Sequence, residues 1–387
     1  MLVHSYYPLG EPRVEREALA ARDAGLSVEV VCLRAEGEPA RATVDGIEVR
    51  RLPLGHERGA SVGRILYEYL AFALMAAAVL TLRRRRPDVV HVHGPPDFLL
   101  AAALPLRLRG ARLVLDIHDL SPHMYEARFE GSAVGRVAGA VLRAVERAAC
   151  ALSHAVITVH EPYRRELARD GVPEGKVTVV MNAADERLIE RVAAERGRHA
   201  DGDGAFTLAY HGTITHWYGV DLLVEAMKRL EGELPDARAL VLGAGDALDP
   251  ARSRADELGV AGRIEFSGGY LPIEETLRRV AGADCGVIPN RPSTLNRFAL
   301  SSKLFEYVAL GIPVVVARLE TLAAHFGPDE VTFFEPGDAG SLADAIAWVA
   351  ANPDAARERA ERAHDRAREY SWSESSRRYL RLLAYKG

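Results

Sequence analysis

The densest chemistry in this sequence lies at Ser301-Ser302-Lys303-Leu304-Phe305-Glu306. Ser301 or Ser302 can N-cap a helix. Lys303 then stands in the first turn, where a cation opposes the helix macrodipole. A residue placed against local preference points to an anionic ligand at that spot. Glu306 follows three residues on, on the same face. A carboxylate there can accept the two hydroxyls of a ribose, while Lys303 and the helix-start N–H groups hold a diphosphate. The plainer alternative is a Lys–Glu pair on a helix surface.

Two other segments place chemistry at strand ends. Leu113-Val114-Leu115 runs into Asp116-Ile117-His118-Asp119. An imidazole there can hydrogen-bond a hydroxyl or move a proton near neutral pH. A structural histidine beside a helix cap fits the same residues. Tyr210-His211-Gly212-Thr213 leads to Tyr218-Gly219. Gly212 permits close backbone approach, and the helix start near Gly219 can receive an anion. An ordinary strand–helix turn is the other reading. Gly243-Ala244-Gly245 serves a turn.

The elements that must position these residues alternate. Apolar runs at 1–6, 27–33, 44–52, 88–93, 112–117, 154–159 and 176–181 read as buried parallel strands. Helical stretches at 12–24, 61–84, 97–109, 133–151 and 161–169 fall between them. A polar, glycine-rich stretch then marks a linker at 183–204. A second series follows, with strands at 206–211, 237–242, 263–266, 284–288, 312–317 and 331–334. Its helices are 219–230, 249–258, 272–281, 302–310 and 338–352. The tail is helical and strand-free. The fold class is α/β, with two Rossmann-like domains facing an inter-domain cleft. The domains are 1–182, joined by a C-terminal helix at 370–387, and 205–369.

The 387 residues are 48% hydrophobic and 27% charged, an ordinary globular composition that excludes disorder. A net charge of −5 gives no pull toward nucleic acid. Cys32, Cys150 and Cys285 are far apart, so neither a disulfide framework nor a zinc ribbon is expected and a reducing, cytoplasmic location is. No signal peptide is read. The nearly apolar run Leu70–Leu82 is too short to span a bilayer, which takes about 20 residues. Arg83, Arg84, Arg85 and Arg86 follow it. The helix is expected to be buried in the first domain. Its arginines would complement the helix dipole or meet the anionic inner face of a membrane.

Taken together, these residues resemble a GT-B glycosyltransferase of the large retaining family 4, in the manner of bacterial polysaccharide-assembly members. The resemblance runs along nearly the whole chain. It is carried by residues 88–93, 115–120, 177–185, 219–226 and 264–268 and by the segment 302–307. It implies an enzyme that moves a sugar from a nucleotide sugar, most naturally UDP-linked, to a hydroxyl of a glycan or polyprenyl-diphosphate-linked acceptor. Glu306 matches the second glutamate of the family's E-x7-E motif, the ribose ligand. His118 matches the histidine that meets the donor sugar and, with Lys303, takes the catalytic roles. Gly10, Gly212, Thr213, Tyr218, Tyr270, Leu271, Arg297 and Ser302 complete the donor site.

Three positions depart from the family pattern. Phe298 stands where the first glutamate of E-x7-E belongs, Thr213 replaces an arginine and Tyr218 a lysine. Lys303, Arg291 and Arg297 are the available substitutes. Charge grows on the leaving diphosphate during transfer, so fixed cations and helix N-termini lower the barrier. With retention, the family is thought to attack from the leaving-group face and needs no dedicated nucleophile. No metal or other cofactor is implied. The alternatives are a catalytically weak sugar-nucleotide-binding subunit and a UDP-sugar 2-epimerase.

Overall fold

The computed structural model describes every residue except 9–10, 57–60, 84, 129–131, 183–185, 197–203, 270 and 385–387. Gly10, Arg84 and Tyr270, all expected in functional roles, therefore lie outside the described residues. The chain forms two compact units, Met1–Asn182 with Ser373–Gly387, and Ala183–Trp372.

The first unit is built on an eight-stranded sheet. Its strands are β1 (Leu2–Tyr6), β2 (Glu29–Leu33), β3 (Arg41–Val44), β4 (Ile47–Leu52), β5 (Val89–Gly94), β6 (Arg112–Ile117), β7 (Ala155–Thr158) and β8 (Val177–Val179). They lie in the order β3-β4-β2-β1-β5-β6-β7-β8. All pair in parallel except β3, which is antiparallel to β4. The sequence reads 44–52 as one strand. Asp45-Gly46, both at positive φ, instead turns the chain back on itself as a two-residue hairpin loop of the kind that needs such residues. Ignoring β3, the order reverses between β1 and β5, and ligands collect outside the carboxyl ends of strands at such a point.

Helix α1 (Pro12–Asp23) follows β1, with proline in its first turn. It buries Val14, Ala18 and Ala21 against β2 and β4, and with them two charged residues, Arg13 and Glu17. Helix α2 (Val62–Thr81) departs from expectation. Phe72, Ala76 and Leu80 are buried, but Leu70 and Leu74 are 48% and 73% exposed. The helix presses one edge on the unit and leaves the rest uncovered. Residues Gly63–Thr81 are also long and apolar enough to cross a membrane, because Arg64 and Glu68 are the only charges among them. The thirteen-residue run understates the helix. The stretch 97–109 is a 3-10 helix (Asp97–Ala103) continued by an α-helix (Leu104–Leu108), the change falling beside Pro105.

The second unit has six parallel strands: β9 (Thr207–His211), β10 (Arg238–Leu242), β11 (Ile264–Phe266), β12 (Cys285–Ile288), β13 (Val314–Ala317) and β14 (Thr332–Phe334). Their order, β11-β10-β9-β12-β13-β14, is the 3-2-1-4-5-6 of a Rossmann sheet. The stretch 183–204, expected as linker, contains the helix Glu186–Arg196, which belongs to this unit. It buries Leu188, Ile189 and Val192. The charged tail is two helices, Pro353–Ala367 and Trp372–Ala384. The second of these returns to the first unit and buries Tyr379 there.

Candidate functional site

Each unit gathers polar side chains at its strand-order reversal. In the second unit, β9 ends at His211 and Gly212 follows at φ +103. A side chain at 212 would lie 2.8 Å from Lys303 Cε, and the positive φ favours glycine there. Lys303 comes from the helix Ser302–Ala309. Its ammonium stands 4.7 Å from the Tyr218 ring centroid and 5.3 Å from that of Tyr210. Those negative ring faces hold a cation without neutralising it. Burial lowers the lysine to about 8, against the upward pull of Glu306. Glu306, one turn along, places Oε2 3.1 Å from His211 Nε2. Burial, with Lys303 nearby, pushes His211 down to about 3, so its ring is neutral beside the carboxylate.

The start of this helix has uncommitted donors. Ser301 stands at the N-cap position but makes no side-chain cap bond. Its buried Oγ has no hydrogen-bond partner among the described residues. Ser302, expected in the donor site, is exposed at the first helical position. Helix N-H groups, an unused hydroxyl and an ammonium thus share one helix start, which is the composition of an anion site.

The other expected residues divide. Thr213 is exposed, and its carbonyl accepts from Tyr210 Oη at 2.5 Å. Leu271 is half-buried after β11. Arg297 donates to Glu320 at 2.6 Å, and Arg291 to Asp221 at 2.5 Å. Both substitute cations are therefore engaged by carboxylates, and Lys303 is the one set beside the glycine turn. Phe298 is buried, 4% exposed.

The first unit holds a buried charge network. Arg13 donates Nε and Nη2 to the two oxygens of Asp116 at 2.9 and 3.1 Å, and Nη1 to Val180 O at 2.7 Å. Its Nη2 lies 3.3 Å from Glu17. His118, after β6, places Nε2 3.3 Å from Asp116 and 3.2 Å from His93 Nδ1, with Nδ1 3.6 Å from Glu11. His91 Nδ1 lies 3.2 Å from Tyr379 Oη. Burial opposes charge on His118, but Asp116 outweighs it and carries the imidazole up to about 10. Burial raises Asp116 as well, yet Arg13 and then His118 hold it well below the usual carboxylate range. Burial, then the neighbouring Asp116, pushes Glu17 up to about 8.

Glu17, His91, His93 and Asp116 each bring a ligand atom within 4.8 Å of the others. That spacing admits a metal ion. The guanidinium of Arg13 already takes both oxygens of Asp116, however, and His118 adds a second cation. In this arrangement both Asp116 oxygens are committed to Arg13 and its charge is shared with His118. The cluster is a proton-holding ion network, and sequence reading finds only Asp116 and His118 of it. Two signals were available. His91 and His93 alternate onto one face of β5, and Arg13 and Glu17 share a face of α1.

Comparison with known proteins bears on the family and the fold. Residues 10–183 match the glycosyl transferase 4-like domain and residues 191–370 the glycosyl transferases group 1 domain. The 2-deoxystreptamine N-acetyl-D-glucosaminyltransferase of Streptomyces fradiae is 29% identical over 310 residues, 76% of this chain and 70% of its own. Sucrose-phosphate synthase from Thermosynechococcus elongatus superposes with a TM-score of 0.74 at 20% identity, over 96% of this chain and 91% of that one. Anabaena Alr3699/HepE in complex with UDP-glucose gives 0.68 at 16%, over 99% and 98%. Two α/β units built on mostly parallel sheets, matched by these two domain models, define a GT-B glycosyltransferase. The chain belongs to the family 4 type of these enzymes and transfers sugar from a nucleotide sugar.

Proposed function

We propose that this enzyme takes its sugar from a UDP-sugar, with retention, and passes it to a hydroxyl of a lipid-linked or glycan acceptor. The observation that carries the reading is the helix start at Ser301. There Lys303, an unpartnered hydroxyl and the helix-start N–H groups meet, with Glu306 one turn on. Glu306 takes the ribose hydroxyls, and Lys303 with the helix start takes the diphosphate. His118 meets the donor sugar, the role that the family resemblance gives it. Its imidazolium is fixed by Asp116, so it donates hydrogen bonds and does not serve as a base near neutral pH. Lys303 supplies the charge stabilisation that a metal would otherwise give the leaving diphosphate.

The exposed face of α2 and the arginines after it support a location in the cytoplasm against the anionic inner face of a membrane. Arg83 pairs with Glu29, while Arg85 and Arg86 are exposed. Calorimetry with UDP, GDP and ADP, followed by proton NMR of the product's anomeric centre, tests the proposal. Selective binding of GDP or an inverted product would overturn the corresponding half. UDP binding with no transfer to any hydroxyl would favour a sugar-nucleotide-binding subunit. That outcome would fit Phe298 in place of a glutamate.

A further inference from the structure

Most arginines of the first unit are spoken for. Arg13 has Asp116, Arg22 has Asp23, Arg51 has Glu38 and Arg83 has Glu29. Two are not. Arg41 on β3 and Arg50 on β4 are direct cross-strand partners in the antiparallel hairpin. Neither has an ion pair or side-chain hydrogen bond among the described residues. Glu48, two residues from Arg50 on the same strand face, makes none with either. Like charges set directly opposite each other on a sheet destabilise it. Arginine on an edge strand does guard against strand addition, but one would serve; Arg41 is exposed and Arg50 half-buried beside it.

They line an open groove, together with Arg51, whose other wall is the flank of α2 formed by Met75, Ala78 and Val79. Leu52 and Pro53 also line it. The groove has room for about 360 Å3, the size of a small-ligand site. It is cationic on one side and apolar on the other. The apolar side runs on into the exposed stripe of α2, where Leu66 and Leu74 are 51% and 73% exposed and Leu82, just past the helix, is 82% exposed. Three helix ends meet beside Leu82. Arg109 bonds Thr81 O, Arg86 bonds Arg109 O, and Arg107 bonds Leu152 O. They carry Leu108, 91% exposed, to the same edge.

We propose that the groove between α2 and the β3–β4 hairpin seats one anionic phospholipid, its phosphate on Arg41 and Arg50 and its alkyl chain along Met75 and Val79. The charge decides the occupant. Two forked, unpaired guanidiniums match phosphate oxygens, and an alkyl chain is what an adjoining uncovered apolar wall removes from water. The proposal rests on the reading of this face as membrane-facing, and adds a defined lipid site to it.

The experiment uses dihexanoylphosphatidylglycerol below its micelle concentration, inorganic phosphate, and vesicles of phosphatidylcholine with or without phosphatidylglycerol. The unmodified chain should bind the short-chain lipid saturably and phosphate far more weakly. Arg41→Gln/Arg50→Gln should weaken that binding about thirtyfold, two lipid-facing charges lost. Arg85→Gln/Arg86→Gln should leave it unchanged while weakening vesicle binding. The groove variant should melt no lower than the parent, because the opposed charges are gone. The single exchange Arg41→Gln repeats the test by a smaller step. Short-chain binding unaltered by the groove exchanges, or phosphate binding as tight as the lipid's, would overturn the site. Arginine-dependent binding of the short-chain lipid with no vesicle binding would uphold the groove and sink the membrane reading instead.

Discussion

Lys303 Nζ lies over the face of Tyr218, 4.7 Å from the ring centroid. Family resemblance expects a lysine at 218. Here a ring stands there and carries an ammonium that arrives from another helix. Tyr210 supports the same ammonium from a second side, 5.3 Å away. An aromatic setting keeps the cation in place without a counter-ion and leaves its charge for an incoming phosphate. Glu306 is three residues away, but its carboxylate is turned to His211.

Replacing Lys303 by methionine should therefore weaken UDP far more than uridine. A charge-assisted hydrogen bond contributes roughly 1.5–3 kcal/mol, so UDP affinity should fall about ten- to a hundredfold while uridine changes little. Calorimetry with both ligands checks this. Equal losses for the two would place Lys303 away from the phosphates.

The same lysine predicts a pH dependence of binding. In the free protein it loses its proton near 8, well below the ordinary lysine range, because it is buried. Diphosphate binding needs the ammonium. UDP affinity should then be level from neutral pH to about 8 and fall by up to about tenfold per unit above it. The Lys303→Met profile should be flat. A parallel fall in both would trace the pH effect to another group.

Glu306→Gln removes the ribose acceptor and also the partner of His211. Uridine and UDP should both weaken, by roughly 1.5–3 kcal/mol. The split against Lys303→Met is the informative result. A variant that kept uridine affinity would disconnect Glu306 from the nucleoside.

Much of this was legible in the sequence, and the parts that were not have physical reasons. Strands buried on both faces, such as Val89–Gly94 and Arg112–Ile117, announce themselves as apolar runs. The segment 301–306 announced its chemistry because Lys303 contradicts the helix dipole. The β3–β4 hairpin was hidden because Asp45-Gly46 interrupts an alternating run for only two residues. The exposure of α2 was hidden because periodicity shows which faces are apolar and not which are covered. Arg13 and Glu17 share a face of α1, but that signal alone does not make them site residues, since their meaning comes from Asp116, 103 residues from Arg13.

Asp116→Asn tests that long-range partnership. It replaces one of the two acceptors of the Arg13 fork by a donor and removes the negative charge that keeps His118 protonated. Breaking a buried pair from one side costs about 3–5 kcal/mol. Denaturant unfolding should show a loss of that order. The His118 imidazole, followed by NMR, should titrate well below its parent value. A small stability change with His118 unmoved would mean that the network does not act through Asp116.

Glu17 gives the opposite kind of result. Burial and Asp116 raise its folded-state value to about 8, against 4.5 for an ordinary glutamate. Between those values the folded protein keeps a proton that the unfolded chain has released. Stability from this group is therefore fully present below pH 4.5 and lost as pH rises toward 8. Glu17→Gln mimics the protonated form at every pH. It should show little change near pH 5 and a gain relative to the parent at pH 8.5, measured as the shift in urea midpoint between the two. The direction follows from proton counting alone. If the parent and the variant keep the same difference at both pH values, Glu17 is ionised in the folded state. Arg13 would then be shared between two carboxylates.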